Sequence, residues 1–369
     1  MRIICQQENL IKGLNIVSHI AGKNISLPIL NNILLKAKNG VFSLISTNLE
    51  IGIKTIVRGK IEEEGEITAQ AKLLTEYVSL LSPYSIELEK KETNLKVRSG
   101  SQEALIKGQE AEEYPIVPEV DKVKTIRLKA NKFKQALSQV VFSASYEEIR
   151  PELSGVYFIL TENDLTLVAT DSYRLAEKTL KREKEKQETG KVNKIVPLRV
   201  LQEILRTLPD EDEKIEIGFN DNQVVFRYRE TVVMSRLIEG NYPDYKEIIP
   251  RSYKTKVLID KNDFIKIIKT ASLFSKTGVN DVLLEFSKKD NGIVVSSTNV
   301  QLGENRAVLQ VEIEGENNSV VFNYKYLLDG LQNIPEKKIV LEVVSSDTPV
   351  VLRPQQSMDY LYLIMPIRK

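Results

Sequence analysis

Catalysis and metal binding need side chains that move protons or donate electron pairs, and this sequence is sparing with them. Its 369 residues hold one cysteine, Cys5, and one histidine, His19, so neither a Cys/His zinc site nor an internal disulfide can be built. His19 falls in an amphipathic helical pattern, where a histidine is far more often an ordinary packed or exposed side chain than a general base. Carboxylates are plentiful but bunched. Glu62-Glu63-Glu64, Glu110-Ala111-Glu112-Glu113 and Asp210-Glu211-Asp212-Glu213 lie at expected turns or strand ends, the usual place of solvated acidic loops. Gly22-Lys23-Asn24-Ile25-Ser26 lacks the upstream glycine and the spacing of a phosphate-binding loop, and no G-x-G-x-x-G turn follows a strand. The run Lys181-Arg182-Glu183-Lys184-Glu185-Lys186 reads as a loop between strands. One pair remains: Asp171 and Arg174 could act on a nucleotide in a sheet-edge cleft, but no third partner group stands near them. The residues therefore argue against an enzyme, and no metal or cofactor is expected.

The elements that would position these side chains recur three times. Leu10–Val17, Phe133–Val140 and Phe264–Ala271 share the apolar stripe of an amphipathic helix. A second helix recurs at Leu73–Val78, Val200–Leu205 and Tyr326–Leu331, each stopped by a proline: Pro83, Pro209 and Pro335, spaced 126 residues apart. After each stop come two alternating strands, Ser85–Glu89 with Leu95–Arg98, Lys214–Ile217 with Val224–Arg227, and Ile339–Val343 with Val350–Leu352. Junctions at Tyr114-Pro115-Ile116-Val117-Pro118 and Tyr242-Pro243-Asp244-Tyr245 divide the chain into modules 1–120, 121–250 and 251–369. The expected fold class is α+β, three similar modules. With 42% apolar residues, no secretory pattern at the N-terminus and no apolar run near the roughly 20 residues that span a bilayer, a cytoplasmic location without a membrane partner is expected.

Charge nearly cancels over the whole chain, 52 basic residues against 51 acidic, yet it is unevenly placed. Helical windows 10–23, 72–82, 130–145, 198–208, 261–276 and 323–334 hold twelve Lys/Arg and four Asp/Glu, a net of +8, which leaves −7 elsewhere. If the helices share one side of an assembly, that side meets phosphates while the other stays acidic. No window has the dense basic run or interleaved aromatics of a tight reader, so loose, sequence-blind contact suits it better. The alternative is that the pattern reflects only the lysines common on solvated helix faces.

Ala169-Thr170-Asp171-Ser172-Tyr173-Arg174-Leu175-Ala176 resembles a signature of the bacterial DNA sliding clamps, the beta subunits of DNA polymerase III. Ser26–Leu35, Glu239–Tyr245 and the tail Tyr362-Leu363-Ile364-Met365-Pro366-Ile367-Arg368 resemble other stretches of that family, and the likeness spans essentially the whole chain. It implies a ring-shaped head-to-tail homodimer with helices on the inner side and antiparallel sheets outside, doubling +8 to +16 around the bore. It implies duplex DNA as one partner, and the DNA polymerase III alpha subunit, the clamp loader delta subunit and other clamp-binding-motif proteins as the rest. The pocket for their short, partly apolar peptides would be lined by Leu153, Thr170, Ser172, Tyr173, Arg174, Leu175, Pro243, Ile248, Pro349, Leu363, Met365, Pro366, Ile367 and Arg368, although Leu153, Leu175 and Leu363 also read as ordinary sheet core. The DNA-facing set would be Lys12, Lys23, Asn24, Lys72, Lys132, Lys134, Arg199, Arg206, Lys266, Lys269 and Lys325. At the subunit joint the resemblance points to Ile106, Leu273 and Phe274.

The chain also departs from the family's pattern. Glu247 and Asp347 put acidic groups at the pocket rim, which argues against a preference for acidic flanks in the peptide. Asn24 takes a position that is often basic, with Lys23 beside it. Pro151 and Glu152 replace aromatics that touch DNA in some relatives, and Ala104 replaces a larger side chain at the joint. Two other classes of function remain: a nucleotide-acting enzyme built on Asp171 and Arg174, and a monomeric peptide-binding scaffold without a DNA role.

Overall fold

The computed structural model describes residues 1–22, 26–117, 123–147, 149–182, 191–290 and 292–368. Among them are six α-helices: α1 (Gln7–Val17), α2 (Ala71–Leu80), α3 (Ala130–Val141), α4 (Leu198–Thr207), α5 (Lys261–Ser272) and α6 (Tyr324–Asn333). Every recurrent helix of the sequence is present, and each ends before the helical window drawn around it for the charge count does. After Val17 the chain turns, so His19 stands exposed in a turn and not within α1. The apolar residues that follow a helix continue its pattern while packing from a turn.

The termini are set by local chemistry. Asp260 caps α5 by accepting hydrogen bonds from the backbone N–H groups of Asn262 (3.0 Å) and Asp263 (3.3 Å), and Asn323 caps α6 by accepting from the N–H of Lys325 (3.0 Å). Each side chain satisfies donors that the first helical turn leaves open. The helices bury one stripe each: Leu10, Leu14 and Val17 on α1, Phe264, Ile268 and Ala271 on α5, Leu327 and Leu331 on α6.

The chain divides into two compact units, residues 1–131 with 206–237 and residues 132–205 with 238–369. In the first, thirteen antiparallel strands run from Lys124–Lys129 at one edge to Gly59–Glu63 at the other. Here a strand from the middle of the chain, Thr231–Arg236, pairs with Ile51–Ile56 from its beginning, Val233 opposite Ile53, and the hydroxyls of Thr55 and Thr231 meet at 2.9 Å in the interior. The second unit holds a nine-stranded sheet and a four-stranded one. Arg174–Lys181 pairs there with the C-terminal strand Tyr360–Ile364, Leu175 opposite Leu363. The three expected strand pairs form in register: Glu87 opposite Arg98, Ile217 opposite Phe226, and Leu341 opposite Leu352.

The acidic clusters are held by neighbouring cations. Glu62 lies 2.9 Å from Lys60 and 3.3 Å from Arg2, Glu110 2.8 Å from Lys90, and Asp212 2.9 Å from Lys129. Arg229 takes Glu213 at 2.7 Å and Glu211 besides. Among the described residues no three His, Cys, Asp or Glu side chains could jointly hold a metal ion, and no helix is long and apolar enough to cross a membrane. Residues 183–186 of the run 181–186 lie outside the described residues.

Candidate functional site

The signature 169–176 is a hairpin turn between strands Asp164–Thr170 and Arg174–Lys181. Its shape comes from two side chains. The Asp171 carboxylate accepts from the N–H groups of Tyr173 (2.9 Å) and Arg174 (3.0 Å), while Thr170 Oγ1 accepts from Ser172 N–H (3.1 Å) and donates to the Arg174 carbonyl (2.6 Å). These bonds hold Ser172 at φ +77°, a left-handed conformation that a residue with a Cβ adopts at a cost of about 1–2 kcal/mol. The turn thus presents Ser172 and Tyr173 to solvent, Tyr173 with 62% of its surface exposed.

Three further segments surround it. The C-terminal tail leaves the strand Tyr360–Ile364, and its Met365 N–H donates to the Tyr173 carbonyl at 2.8 Å. Ile367 N–H then donates to the Val321 carbonyl at 2.8 Å, so the tail is tied at two points. The junction 242–248 lies over the same sheet face: Tyr245 is buried with Val168, Leu175, Val351, Leu361 and Leu363, and Tyr242, Ile249 and Met365 pack against that cluster. Tyr242 stacks on Tyr157 at 4.7 Å between centroids, and the Tyr245 hydroxyl donates to Glu177 at 2.6 Å. Burial, with that bond adding to it, holds the Tyr245 phenol well above its ordinary pKa. Finally, Arg150 donates to Ser172 Oγ at 3.2 Å from the segment before Leu153.

Arg174 turns toward α6. Its Nε donates to Asp171 (2.9 Å) and its other end to Asp329 of α6 (2.6 Å), and its guanidinium lies 4.6 Å from the Tyr326 ring centroid and 5.6 Å from that of Phe142. Burial works against this charge; proximity to Tyr362 and the bonds to Asp329 and Asp171 outweigh it and hold the guanidinium above its ordinary value. Gly330 lets α6 come this close, because a Cβ there would stand 2.0 Å from the Tyr362 ring.

Several expected lining residues are therefore placed differently. Leu175 and Leu363 are fully buried and Leu153 is 2% exposed. Leu175 and Leu363 lie in the sheet and pack in the cluster around Tyr245, whereas Leu153 ends the short 3-10 helix Pro151–Leu153 outside the sheet; burial of each contributes about 1.5–3 kcal/mol. Thr170 is buried and shapes the turn, and Arg174 is enclosed by Phe142 and α6. Ser172, Tyr173, Ile248 and Arg368 are exposed, and Pro243, Pro349, Met365, Pro366 and Ile367 half-buried. The sequence reading missed Arg150, Tyr326 and Asp329. No local pattern could have found Asp329, which lies 155 residues from Arg174.

Of the cations expected to face DNA, Lys12, Lys269 and Lys325 are exposed on α1, α5 and α6 and make no ion pair among the described residues. Lys72 lies 3.8 Å from Glu76 and Lys266 3.7 Å from Asp263. Lys132 and Arg199 are exposed and Lys134 half-buried, while Lys23 and Asn24 lie outside the described residues. Arg206 is engaged elsewhere, since it donates to the carbonyls of Asn15 (2.7 Å) and Ile16 (2.9 Å) in the last turn of α1, where the helix leaves acceptors unpaired and its dipole favours a cation. The observed helices hold ten Lys/Arg and five Asp/Glu, a net of +5 and not +8, since Lys23 and Lys276 fall beyond the helix ends and Glu8 falls within α1.

At the expected joint, Ile106 is only 4% exposed and faces the core opposite Leu95, whereas its neighbour Leu105 is 61% exposed. Leu273 is 70% exposed just past α5, and Phe274 is half-buried.

Six helices and antiparallel sheets in three repeats of one plan define a clamp-type scaffold. The chain matches three domain families in order: the DNA polymerase III beta subunit N-terminal domain over residues 1–118, its central domain over 127–244 and its C-terminal domain over 246–368. It is 29% identical over 378 residues to the beta sliding clamp of Bacillus subtilis, with all of both chains covered, and 30% identical to that of Staphylococcus epidermidis, with all of this chain and 99% of the other covered. The crystal structure of the DNA polymerase sliding clamp from Bacillus subtilis aligns with a TM-score of 0.95 at 29% identity, covering 100% of this chain and 99% of that one. A Pseudomonas aeruginosa sliding clamp bound to griselimycin aligns with a TM-score of 0.95 at 25% identity over the whole of both chains. The chain belongs to the DNA polymerase III beta subunit family, and it is a sliding clamp, a non-catalytic processivity factor of DNA replication.

Proposed function

We propose that two copies of this chain close head to tail into a ring of six modules, with boundaries 1–120, 121–250 and 251–369 in each chain, that encircles duplex DNA in the cytoplasm. Partner proteins dock on it by short, partly apolar peptides beside Tyr173, Ile248, Met365 and Pro366. The DNA polymerase III alpha subunit and the clamp loader delta subunit are the partners that the family membership brings with it.

The observation that carries the peptide reading is the pairing of a pre-shaped turn with a tied C-terminal tail: Met365 N–H on the Tyr173 carbonyl sets two half-open side chains beside an apolar floor. Such a surface takes apolar anchors while its polar edges fix their direction. Ring closure is supported by two strand edges. Residues 102–107 of the strand Gln102–Gln109 pair on one side only among the described residues, and Gly303–Gln310 is the outermost strand of its sheet. Open edges invite pairing with another chain, and two different edges make a heterologous, head-to-tail contact. Exposed Leu105 belongs to the first edge; Leu302 leads into the second, where the Phe274 ring also lies. Lys12, Lys72, Lys132, Lys134, Arg199, Lys266, Lys269 and Lys325 then supply weak phosphate contacts, which suit sliding.

A fluorescein-labelled Gln-Leu-Ser-Leu-Phe peptide titrated against the full chain and against a chain ending at Ile364 tests the docking site, with circular dichroism checking that both are folded. Saturable binding that disappears on truncation is expected. A folded, intact chain that does not bind would overturn the peptide reading.

A further inference from the structure

The turn that carries Ser172 and Tyr173 has two attachments: its own hairpin and α6. We infer that Arg174 is a positioning residue that fastens this turn to α6, so that the peptide site is formed only while α6 is docked; this rests on the peptide reading above.

The argument follows the bonds outward from the turn. The Asp171 carboxylate shapes the turn through the N–H groups of Tyr173 and Arg174, and its other oxygen takes Arg174 Nε at 2.9 Å. The same guanidinium therefore orients the carboxylate on which the turn depends. At its far end it donates to Asp329 at 2.6 Å, and Tyr326 and Phe142 lie against it. The side chain is only 11% exposed, which leaves little of it open toward a peptide.

Tyr326 in turn carries the Tyr173 ring, stacked at 6.2 Å between centroids with 21° between planes, and its carbonyl accepts from the Tyr362 hydroxyl at 2.8 Å. Tyr362 belongs to the strand that leads into Met365, and its ring lies 5.5 Å from Phe142. Turn, tail and α6 thus converge on one guanidinium. A planar fork can serve two carboxylates and two ring faces together; an ammonium presents one compact charge and cannot.

The test uses the full chain and the same fluorescein-labelled Gln-Leu-Ser-Leu-Phe peptide, read by anisotropy. The variants are Arg174→Lys, Asp329→Asn and the double substitution, with Glu216→Gln as a control that breaks the pairs to Arg127 and Arg227 in the other unit. Thermal unfolding is recorded for each. Arg174→Lys and Asp329→Asn are each expected to weaken the peptide about tenfold, with the double variant within about twofold of Arg174→Lys alone, because both changes break one connection. Glu216→Gln lowers the unfolding temperature but leaves peptide affinity unchanged. If Asp329→Asn stays within about twofold of wild type while Arg174→Lys weakens binding, Arg174 meets the peptide directly and the inference is wrong; additive losses in the double variant overturn it too. Should Arg174→Lys fail to fold, Asp329→Asn still decides. Failure of the wild type to bind is a different result, and removes the peptide reading itself.

Discussion

Arg174 and Arg206 look alike in the sequence, each a cation beside apolar residues, and both hold backbone in place. Arg206 closes the end of α1 by taking the carbonyls of Asn15 and Ile16. Arg206→Ala is expected to lower stability by about 1 kcal/mol in urea unfolding, while the slope of log affinity for DNA against log salt stays as in wild type. Lys12→Ala or Lys269→Ala should instead reduce that slope by about one unit. A slope that falls with Arg206→Ala would return that residue to the DNA-facing set. Sequence reasoning could not separate these cases, because the acceptors of Arg206 lie 190 and 191 residues away and carry no side-chain signal. The contiguous turn 169–176 was legible for the opposite reason: the side-chain bonds of Thr170 and Asp171 that shape it all fall within four residues. Ile106 and Leu105 show a third case. In a strand, neighbouring residues face opposite sides, so Ile106 packs into the core while Leu105 beside it is exposed.

Helices and hairpins were readable because their signals are periodic and their stops are prolines. Helix ends were less so, since Ile20 and Leu81 continue an apolar pattern from turns and are buried without being helical. The start of α5 offers a test at this scale. Burial alone would raise the Asp260 pKa, but the amides of Asp263 and Asn262 and the charge of Lys337 outweigh it and hold the carboxyl below its ordinary value. A carboxylate depressed in the folded state stabilises above its unfolded pKa and loses that contribution as pH falls through the folded one. Asp260→Ala should therefore be less stable than wild type at pH 7, and the difference should shrink below a pH of about 4. The cap of α6 does not titrate, so Asn323→Ala should cost about 1 kcal/mol at both pH values. Urea unfolding at pH 7 and pH 3 separates the two, and an Asp260 effect independent of pH would contradict the account.

At the scale of the molecule, the threefold repeat was the strongest signal in the sequence, since Pro83, Pro209 and Pro335 fall at one interval with the same elements around them. What the repeat could not show is how strands from different modules join: Val233 opposite Ile53 and Leu175 opposite Leu363 are long-range registers without local markers. Near-neutral total charge with a basic excess on the helices suits a protein that stays on DNA by topology and not by tight contact. The central claim is that retention, and it can be measured by loading the clamp onto a nicked circular plasmid with a clamp loader and ATP, raising the salt, and separating bound from free protein before and after one restriction cut. Encirclement predicts that the clamp stays on the circle at high salt and is lost once the DNA is linear. Release from the intact circle as fast as from cut DNA, or retention after cutting, would contradict it.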